Sequence, residues 1–380
     1  MKKIYTQPRI ETVANTPQKM LCASGGINAQ ISGYNQNTGG GFGQPVIIGV
    51  ICSSLLMLGT ACSTTNNPNQ PKQQAELKPR TLIVQTSPQP SPQERGIQRL
   101  PQATITENEG VLDALWNAGD AVFYRNLSHN EFEDTEHNLV PLSGTLYADK
   151  SERIASFSGD RVWCTEKDQL ALIYPALDVE NHPELFTFHD SPLTASYTIS
   201  VAEQDGTLET LAEKYHHIYG IASVVSVTET TANAELAEMK SLMTVCKFSF
   251  EDKNHPGTPL PITSLQIKKG GTGSPYIGTY PQQGTVYIAQ SVSAWNVSVN
   301  PEWEITGGKP LTITPTGSPT EVYVALFPDM GATYSFTVTS TTGNTATDGT
   351  YTGEATATLK EGEYVPATGL KLEKQPKSQS

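Results

Sequence analysis

The sequence predicts a mainly β protein built from two consecutive β-sandwich domains with short helical insertions. Short runs of β-branched and aromatic residues recur from about residue 103 onwards, separated by glycine, aspartate and proline turns. A proline-rich break, HPGTPLPIT at residues 255–263, divides these runs into two groups. We therefore predict one domain at 103–258, a second at 262–374 and a short tail at 375–380.

The predicted first domain contains nine candidate strands and two helical insertions. The strands are Ala121–Tyr124, Gly144–Tyr147, Ile154–Phe157, Arg161–Cys164, Leu170–Tyr174, Leu185–Phe188, Tyr197–Val201, Val224–Thr228 and Leu242–Phe250. Thr207–Tyr215 is predicted as a helix with Thr207 as its cap. Asn233–Lys240 is predicted as a second helix because it is rich in Ala, Glu, Leu and Met.

The predicted second domain is almost purely β. Its strands are Leu265–Lys268, Val286–Gln290, Trp295–Val299, Leu311–Thr314, Val322–Phe327, Tyr334–Ser340 and Ala355–Leu359, with a further strand-like piece at Gly369–Glu373. Thr342-Gly343-Asn344 and Asp348-Gly349 mark tight connections between strands.

The segment before these domains contains an uncharged apolar run. Val46 to Leu58 has no charged residue, is shorter than the ~20 residues of a spanning helix, and fits a signal-peptide core of roughly 7–15 residues. A buried core strand or helix is the alternative interpretation. Residues 1–45 are rich in Gly and Asn and are predicted to be disordered, as an over-extended gene start or a fused upstream peptide.

The apolar run ends in Gly59-Thr60-Ala61-Cys62, which resembles a bacterial lipoprotein signal with its lipobox. The resemblance implies that residues 46–61 are signal peptide and lipobox. It also implies that Cys62 is acylated, with palmitate among its chains, and becomes the first residue of the mature protein.

Residues 62–102 have the composition of an extended, proline-rich tether. Inside it lies a single aliphatic strand, Thr81–Thr86 (TLIVQT). Because an isolated strand is not stable alone, we expect it to pair with something downstream. Arg95 and Arg99 follow in an exposed loop, the kind of segment in which proteolysis concentrates.

Composition and motifs exclude several function classes. The net charge of −13 argues against nucleic-acid binding through a basic surface and against a polybasic membrane patch. Gly270-Gly271-Thr272-Gly273 has neither the helix nor the Gly-Lys-Ser/Thr ending of a phosphate loop, and there is no Gly-x-Ser-x-Gly elbow. The carboxylates Glu131, Glu133 and Asp134 are interpreted as a solvated acidic loop.

The histidines and cysteines suggest no catalytic or metal site. His182, His189 beside Asp190, and the pair His216-His217 are predicted to be exposed loop residues. Neither a CxxC motif nor a His/Cys cluster supports zinc. We therefore predict no enzyme activity and no cofactor.

Two cysteines lie within the predicted domains. Cys164 and Cys246 could pair in an oxidising periplasm. Cys246, however, shares a period-two face with Leu242, Phe248 and Phe250, which indicates a buried free thiol.

At this level of organisation the chain resembles the fimbrillin family of Bacteroidetes fimbriae. Two segments carry the resemblance. Trp116-Asn117-Ala118-Gly119-Asp120-Ala121-Val122 is similar to a W-x-x-G-D turn of fimbrillin-like domains, and the second segment is MKSLMTVCKFSF at Met239–Phe250. The resemblance implies two transthyretin-like, Greek-key sandwich domains. It further implies an outer-membrane lipid-anchored precursor that becomes a cell-surface fimbrial subunit contributing to adhesion.

The family's assembly mechanism implies specific roles for both ends of this chain. An arginine-specific protease removes the first strand, here Thr81–Thr86, and a strand of another fimbrial subunit replaces it. Arg95 is the better-placed cut and Arg99 is second, whereas Arg80 is a poor candidate because it precedes the predicted strand. Donor strands come from C-terminal segments, which here indicates Ala355–Leu359 and Gly369–Glu373.

Two alternatives remain open from the sequence. The segment Thr81–Thr86 can be an ordinary first strand with an exposed arginine after it. The protein can also be a non-polymerising surface lipoprotein that binds glycans or host ligands on an aromatic platform. Its candidate aromatic residues are Tyr276, Tyr280, Trp295 and Trp303.

Overall fold

The computed structural model describes residues 77–86, 104–108, 111–129, 141–152, 154–179, 181–182, 185–190, 193–270, 278–290, 295–302 and 308–376. All of them belong to one compact unit. Strands make up most of the described chain, so the predicted mainly β, sandwich-type fold is confirmed. Cys62, Arg95 and Arg99 lie outside the described residues, as do the predicted segments 1–45 and 46–61.

Twenty strands follow one another in the described part of the chain. The first ten are β1 Lys78–Thr86, β2 Thr104–Asn108, β3 Val111–Leu115, β4 Ala121–Asn126, β5 Ser143–Ala148, β6 Phe157–Cys164, β7 Gln169–Tyr174, β8 Phe186–Asp190, β9 Leu193–Ser200 and β10 Ile218–Val227. The others are β11 Thr231–Ser241, β12 Thr244–Asp252, β13 Ser264–Gly270, β14 Gln283–Gln290, β15 Trp295–Pro301, β16 Leu311–Ile313, β17 Glu321–Leu326, β18 Asp329–Ser340, β19 Gly349–Leu359 and β20 Tyr364–Lys374.

Seven of these strands form a closed barrel in the order β1-β11-β10-β7-β4-β5-β6. The strand pairs described in it are antiparallel, except that β1 and β11 run parallel. Because side chains alternate along a strand, every second residue points into the barrel. Leu82, Leu146, Phe157, Leu172 and Leu236 are fully buried there in one cluster.

The Trp-Asn-Ala-Gly-Asp turn noted in the sequence leads into β4 of the barrel. Trp116 is fully buried and meets Phe157 and Tyr174 edge-on, with ring centroids 4.8 and 5.4 Å apart. The backbone N–H of Asn117 donates to the Asp120 carboxylate at 2.7 Å. Gly119 has φ +91°, a left-handed conformation that favours glycine. The turn therefore anchors the start of β4 to the barrel core.

The remaining large sheets share a second core. One has seven strands in the order β16-β13-β18-β19-β20-β12-β17, and the other has four in the order β15-β14-β9-β8. Tyr197 and Val286 of the smaller sheet and Phe250, Ile267 and Phe336 of the larger sheet belong to one buried cluster. In the larger sheet β12 and β20 are parallel neighbours.

The membership of these sheets crosses the proline-rich break at residues 255–263. Strand β9, which precedes the break, pairs with β14, which follows it. Strand β12 also precedes the break and pairs with β17 and β20. The sheets are therefore not divided along the chain at this break, and the limits of independently folding domains stay a prediction.

One predicted helix is confirmed and the other is wrong. Leu208–Thr210 is helical and continues as a π-turn over Leu211–Tyr215, and the Thr207 hydroxyl accepts from the N–H of Thr210 at 3.1 Å. The segment predicted as a helix at Asn233–Lys240 is instead strand β11. Ala232, Ala234 and Leu236 alternate into the barrel core, so burial with period two outweighs helix propensity.

Several other elements differ from the sequence-based prediction in their presence or bounds. Strands β2 and β3 form a two-stranded sheet in a segment where no strand was predicted. The predicted strand Ile154–Phe157 is confirmed only at its last residue, where β6 begins. Strand β1 begins at Lys78 rather than Thr81, so Arg80 lies inside it.

We expect the inner face of β1 to contribute most of its stabilising energy. Replacing Leu82, which is fully buried, by Ala should lower the free energy of unfolding by about 2–5 kcal/mol because a cavity opens in the barrel core. Ile83→Ala is the matched control: Ile83 is only half-buried on the outer face, and its loss should be about 1 kcal/mol. Urea unfolding of both variants measures the difference, and equal losses would contradict this assignment of faces.

Candidate functional site

Strand β1 is the element that closes the barrel. It pairs in parallel with β11 from Thr81 to Thr86, and antiparallel with β6 from Lys78 to Val84. Its two neighbours, β6 and β11, are joined in the barrel through β1. Without β1 the barrel would become an open sheet whose two edges carry unpaired backbone N–H and C=O groups.

The inner face of β1 carries one cation followed by two aliphatic side chains. Arg80, Leu82 and Val84 are buried, whereas Thr81 and Ile83 on the other face are half-buried. Leu82 and Val84 belong to the same buried cluster as Phe157. Removing β1 would therefore leave an apolar slot with a polar end.

Arg80 forms the polar end of this slot. Its Nε donates to the carbonyl oxygen of Thr228 at 2.7 Å, and its Nη1 donates to the carbonyl oxygens of Cys164 and, at 3.2 Å, Lys78. Arg80 is 7% exposed. A protease that needs an extended, accessible backbone cannot reach a residue buried in a barrel strand, so Arg80 stays a poor candidate for the cut, although it lies within the strand and not before it.

The buried carboxylate of Asp168 forms hydrogen bonds at the same end of the barrel as Arg80. Asp168 is 3% exposed and accepts from Asn126 Nδ2 at 2.8 Å and from the N–H and hydroxyl of Thr165 at 2.8 and 2.9 Å. His129 Nε2 lies 3.0 Å from it. Burial raises the pKa of Asp168, but these hydrogen bonds outweigh burial and hold it below its usual value. The network fixes Thr165, the residue that follows Cys164.

The two predicted donor segments are both paired within the chain. Ala355–Leu359 lies in β19, which pairs with β18 along its length, and Gly369–Glu373 lies in β20, which pairs with β12. Strand β20 meets β19 at its last residues, where Lys374 and Glu373 pair with Tyr351 and Thr352. Along the rest of β20, no pairing with β19 occurs in this fully described stretch.

Residues of β19 and β20 contribute to the lining of an apolar cavity of about 40 Å³. Its lining includes Ala357 and Leu359 from β19 and Val365 and Leu370 from β20, above Phe248. These side chains on β19 and β20 pack against the second core. The backbones of the two strands are hydrogen-bonded to each other only near Lys374 and Glu373. Strand β20 is therefore held over most of its length on one edge, whereas β1 is held on both.

Glu107 of β2 binds the start of β20. Its carboxylate accepts from Tyr364 Oη at 2.6 Å, from Tyr323 Oη, and from Lys247 Nζ at 2.8 Å. Burial raises the pKa of Glu107, but the hydrogen bonds from Lys247, Tyr323 and Tyr364 outweigh it and lower the pKa below its usual value. No sequence signal indicated this cluster, because it joins residues more than 100 positions apart.

The prediction that His216 and His217 are exposed is wrong. They are 5% and 8% exposed, at the end of the π-turn and before β10. Nδ1 of His216 has no hydrogen-bond partner, and the contact of the His217 ring with the backbone of Ser200 opposes the effect of burial only in part. Burial lowers the pKa of both to about 4, aided at His216 by the neighbouring His217. Within the described residues, no group of three or more His, Cys, Asp or Glu could hold a metal ion.

The cysteines in the described part of the chain are free. Cys164 and Cys246 are both buried, which confirms the predicted state of Cys246. Burial raises the pKa of Cys164 to about 11 and that of Cys246 further still. Both thiols are therefore protonated at neutral pH and act as small apolar side chains.

The described members of the predicted aromatic platform do not form an exposed surface. Tyr280 is buried, and its hydroxyl accepts from the N–H of Phe327 at 3.0 Å. Trp295 is half-buried and packs against the second core beside Val297 and Val299. Tyr276 and Trp303 lie outside the described residues.

Among the described helices, none is long and apolar enough to span a membrane. No protein-family model matches the chain. The curated proteins give no match either.

Several solved structures share part of this architecture. A candidate cell adhesion protein from Bacteroides uniformis is 12% identical, with a TM-score of 0.40, covering 68% of this chain and 91% of its own. Another candidate cell adhesion protein, from Bacteroides eggerthii, is 11% identical, with a TM-score of 0.35, and the match covers 78% of this chain and 87% of that protein. The shaft pilin SpaA of Lactobacillus rhamnosus is 8% identical, with a TM-score of 0.28, and the match covers 79% of this chain and 99% of that protein. Likenesses this distant do not assign a function to the chain.

The buried histidine pair should make the protein sensitive to acid. Both histidines are neutral in the folded state and protonate near pH 6.5 when unfolded, so stability should fall as pH drops from about 6.5 towards 4. The slope should approach about 1.4 kcal/mol per pH unit for each histidine. Urea unfolding between pH 7 and 4.5 should show a clearly flatter slope for the His216→Leu/His217→Leu variant. Identical slopes for the two proteins would refute this role.

Proposed function

We propose that this protein is a structural subunit of a cell-surface fimbrium that assembles by strand exchange at β1 and contributes to adhesion. It is exported as a lipoprotein, anchored in the outer membrane through Cys62, and processed at Arg95 or Arg99. The observation that carries the proposal is that, among the described strands, β1 alone bridges β6 and β11, through backbone pairing on both of its edges.

Backbone pairing makes such a strand replaceable by another of suitable sequence. The hydrogen bonds that β1 gives to β6 and β11 come from its main chain, and any extended segment can offer the same groups. Side chains set the fit, because the slot accepts Arg80, Leu82 and Val84. An incoming strand of another subunit would restore the barrel and join two copies end to end.

The position of the predicted cuts fits this role. Strand β1 ends at Thr86 and β2 begins at Thr104, so Arg95 and Arg99 lie in the connection between them. A cut there would separate β1 from the rest of the barrel without removing any other described strand. Partners on this proposal are other fimbrial subunits, an arginine-specific protease and the outer membrane, with no nucleic acid or cofactor.

We expect polymerisation to require the release of β1. Treating the purified precursor with an arginine-specific protease should produce heat-resistant ladders on gels, and Arg95→Ala/Arg99→Ala should abolish them. The single variants identify which arginine is cut. Ladders of equal intensity from the double variant would refute the trigger, and a monomeric wild type would refute the polymer.

A disulfide between β1 and β6 would hold β1 in the barrel after the chain is cut, so the effect of cleavage can be measured apart from the release of β1. Ile83 and Ser158 are opposite each other on the antiparallel β1 and β6, within the distance that a disulfide spans. The Ile83→Cys/Ser158→Cys protein should stay monomeric after cleavage when oxidised and polymerise when reduced. Ile83→Cys alone is the matched control and should polymerise in both states. Polymer formed by the oxidised, locked protein would contradict strand replacement.

We also expect Cys62 to be the acylated N-terminal residue. Intact-mass measurement of the membrane fraction should give a protein that begins at Cys62 and carries several acyl chains, because one chain alone anchors only marginally. The Cys62→Ala protein should leave the membrane fraction. A mature protein that still contains Lys2 or Lys19 would contradict removal of residues 1–61.

A further inference from the structure

The slot occupied by β1 has a definite chemical order that its replacement must match. From one end to the other it takes a cation at Arg80, then apolar side chains at Leu82 and Val84. If β1 leaves, the carbonyl oxygens of Cys164 and Thr228 lose their guanidinium donor. The carbonyl of Cys164 is buried, so leaving it without a donor is unfavourable.

The last strand in the described part of the chain, β20, carries the same order in reverse. In β20, Leu370, Leu372 and Lys374 lie on one face, so the strand reads apolar, apolar, cation. We infer that β20 of a second copy enters the barrel in the direction opposite to that of β1. Lys374 then takes the position of Arg80, Leu372 that of Leu82, and Leu370 that of Val84. The inference rests on the proposed strand exchange and specifies its direction and register.

The ammonium group of Lys374 suits the carbonyl pair. Lysine has three donors, enough for the oxygens of Cys164 and Thr228 together. In the present fold Lys374 already donates to a backbone carbonyl, that of Ala346 at 3.2 Å, and lies 5.5 Å from the ring centroid of Tyr351. Exchange would therefore move this group from one carbonyl environment to another.

Insertion in the same direction as β1 is chemically worse. Aligning Leu370 with Arg80 and Leu372 with Leu82 places Lys374 at Val84, in the apolar interior of the barrel. A buried ammonium without acceptors is strongly disfavoured. That alignment also leaves the Cys164 carbonyl facing the aliphatic Leu370. The reversed strand avoids both problems.

Backbone pairing accommodates the reversed direction equally well. Strand β1 is parallel to β11 and antiparallel to β6. A reversed strand is antiparallel to β11 and parallel to β6, so the number of antiparallel edges is unchanged. One contact is unfavourable: Glu373 would replace Thr81, whose hydroxyl donates to Asp160 at 2.8 Å. That site is exposed, so water and salt screen the repulsion.

Cysteine crosslinking between two copies tests the direction. One full-length copy carries the acceptor position, Thr231→Cys or Asn233→Cys, which lie opposite Thr81 and Ile83. The other carries Glu373→Cys or Lys371→Cys. After processing and mixing, the reversed register predicts disulfides between 373 and 231 and between 371 and 233, identified by mass spectrometry of the linked peptides. Links 371 to 231 and 373 to 233 would overturn the inference.

The role of Lys374 is tested by substitution in the processed protein. Lys374→Met should reduce ladder formation at least tenfold, whereas Lys374→Arg should retain it, and unfolding of the uncleaved variants checks that each is folded. Equal ladders from Lys374→Met and wild type would overturn the role of the cation. Polymer with the wrong crosslinks refutes the register alone, whereas absence of polymer from the wild type refutes strand exchange itself.

Discussion

The architecture of the first core depends on backbone hydrogen bonding along both edges of β1. A closed barrel has no free edge, and here one strand near the start of the described chain provides the closure between β6 and β11. Two of its inner side chains, Leu82 and Val84, are fully buried, so closure and core packing depend on the same strand. A strand held in this way leaves only at considerable free-energy cost unless another takes its place.

The two ends of the described chain are held differently. Strand β1 is paired along both edges, whereas β20 pairs along one edge with β12 and meets β19 only at its end within this fully described stretch. At its start, β20 is fastened through Tyr364 to Glu107, which lies on β2 just after the connection that contains Arg95 and Arg99. Contacts of the donor candidate thus reach the segment next to the proposed cut.

Buried polar groups mark the places where this β protein departs from simple apolar packing. Arg80 and Asp168 are both satisfied by several hydrogen bonds. At Asp168 these hydrogen bonds lower the pKa of the carboxyl group despite its burial. His216 and His217 lack such partners at most ring nitrogens and therefore remain neutral. Arg80 and Asp168 give the barrel end a defined polarity, whereas His216 and His217 place two neutral imidazoles at buried positions.

Local patterns were sufficient to predict much of this protein. The β class, most strands, the Thr207 cap and the buried thiol of Cys246 follow from period two, turn residues and capping chemistry, which act over a few positions. Tertiary structure decided the rest. Thr231–Ser241 became a strand because the barrel needs an alternating apolar face between β1 and β10, and propensity alone favoured a helix. The sheets also include strands from both sides of the proline-rich break, and Glu107 contacts Tyr364 across 257 positions. Such contacts depend on how strands far apart in the chain pack together, and the local sequence of either strand does not show this.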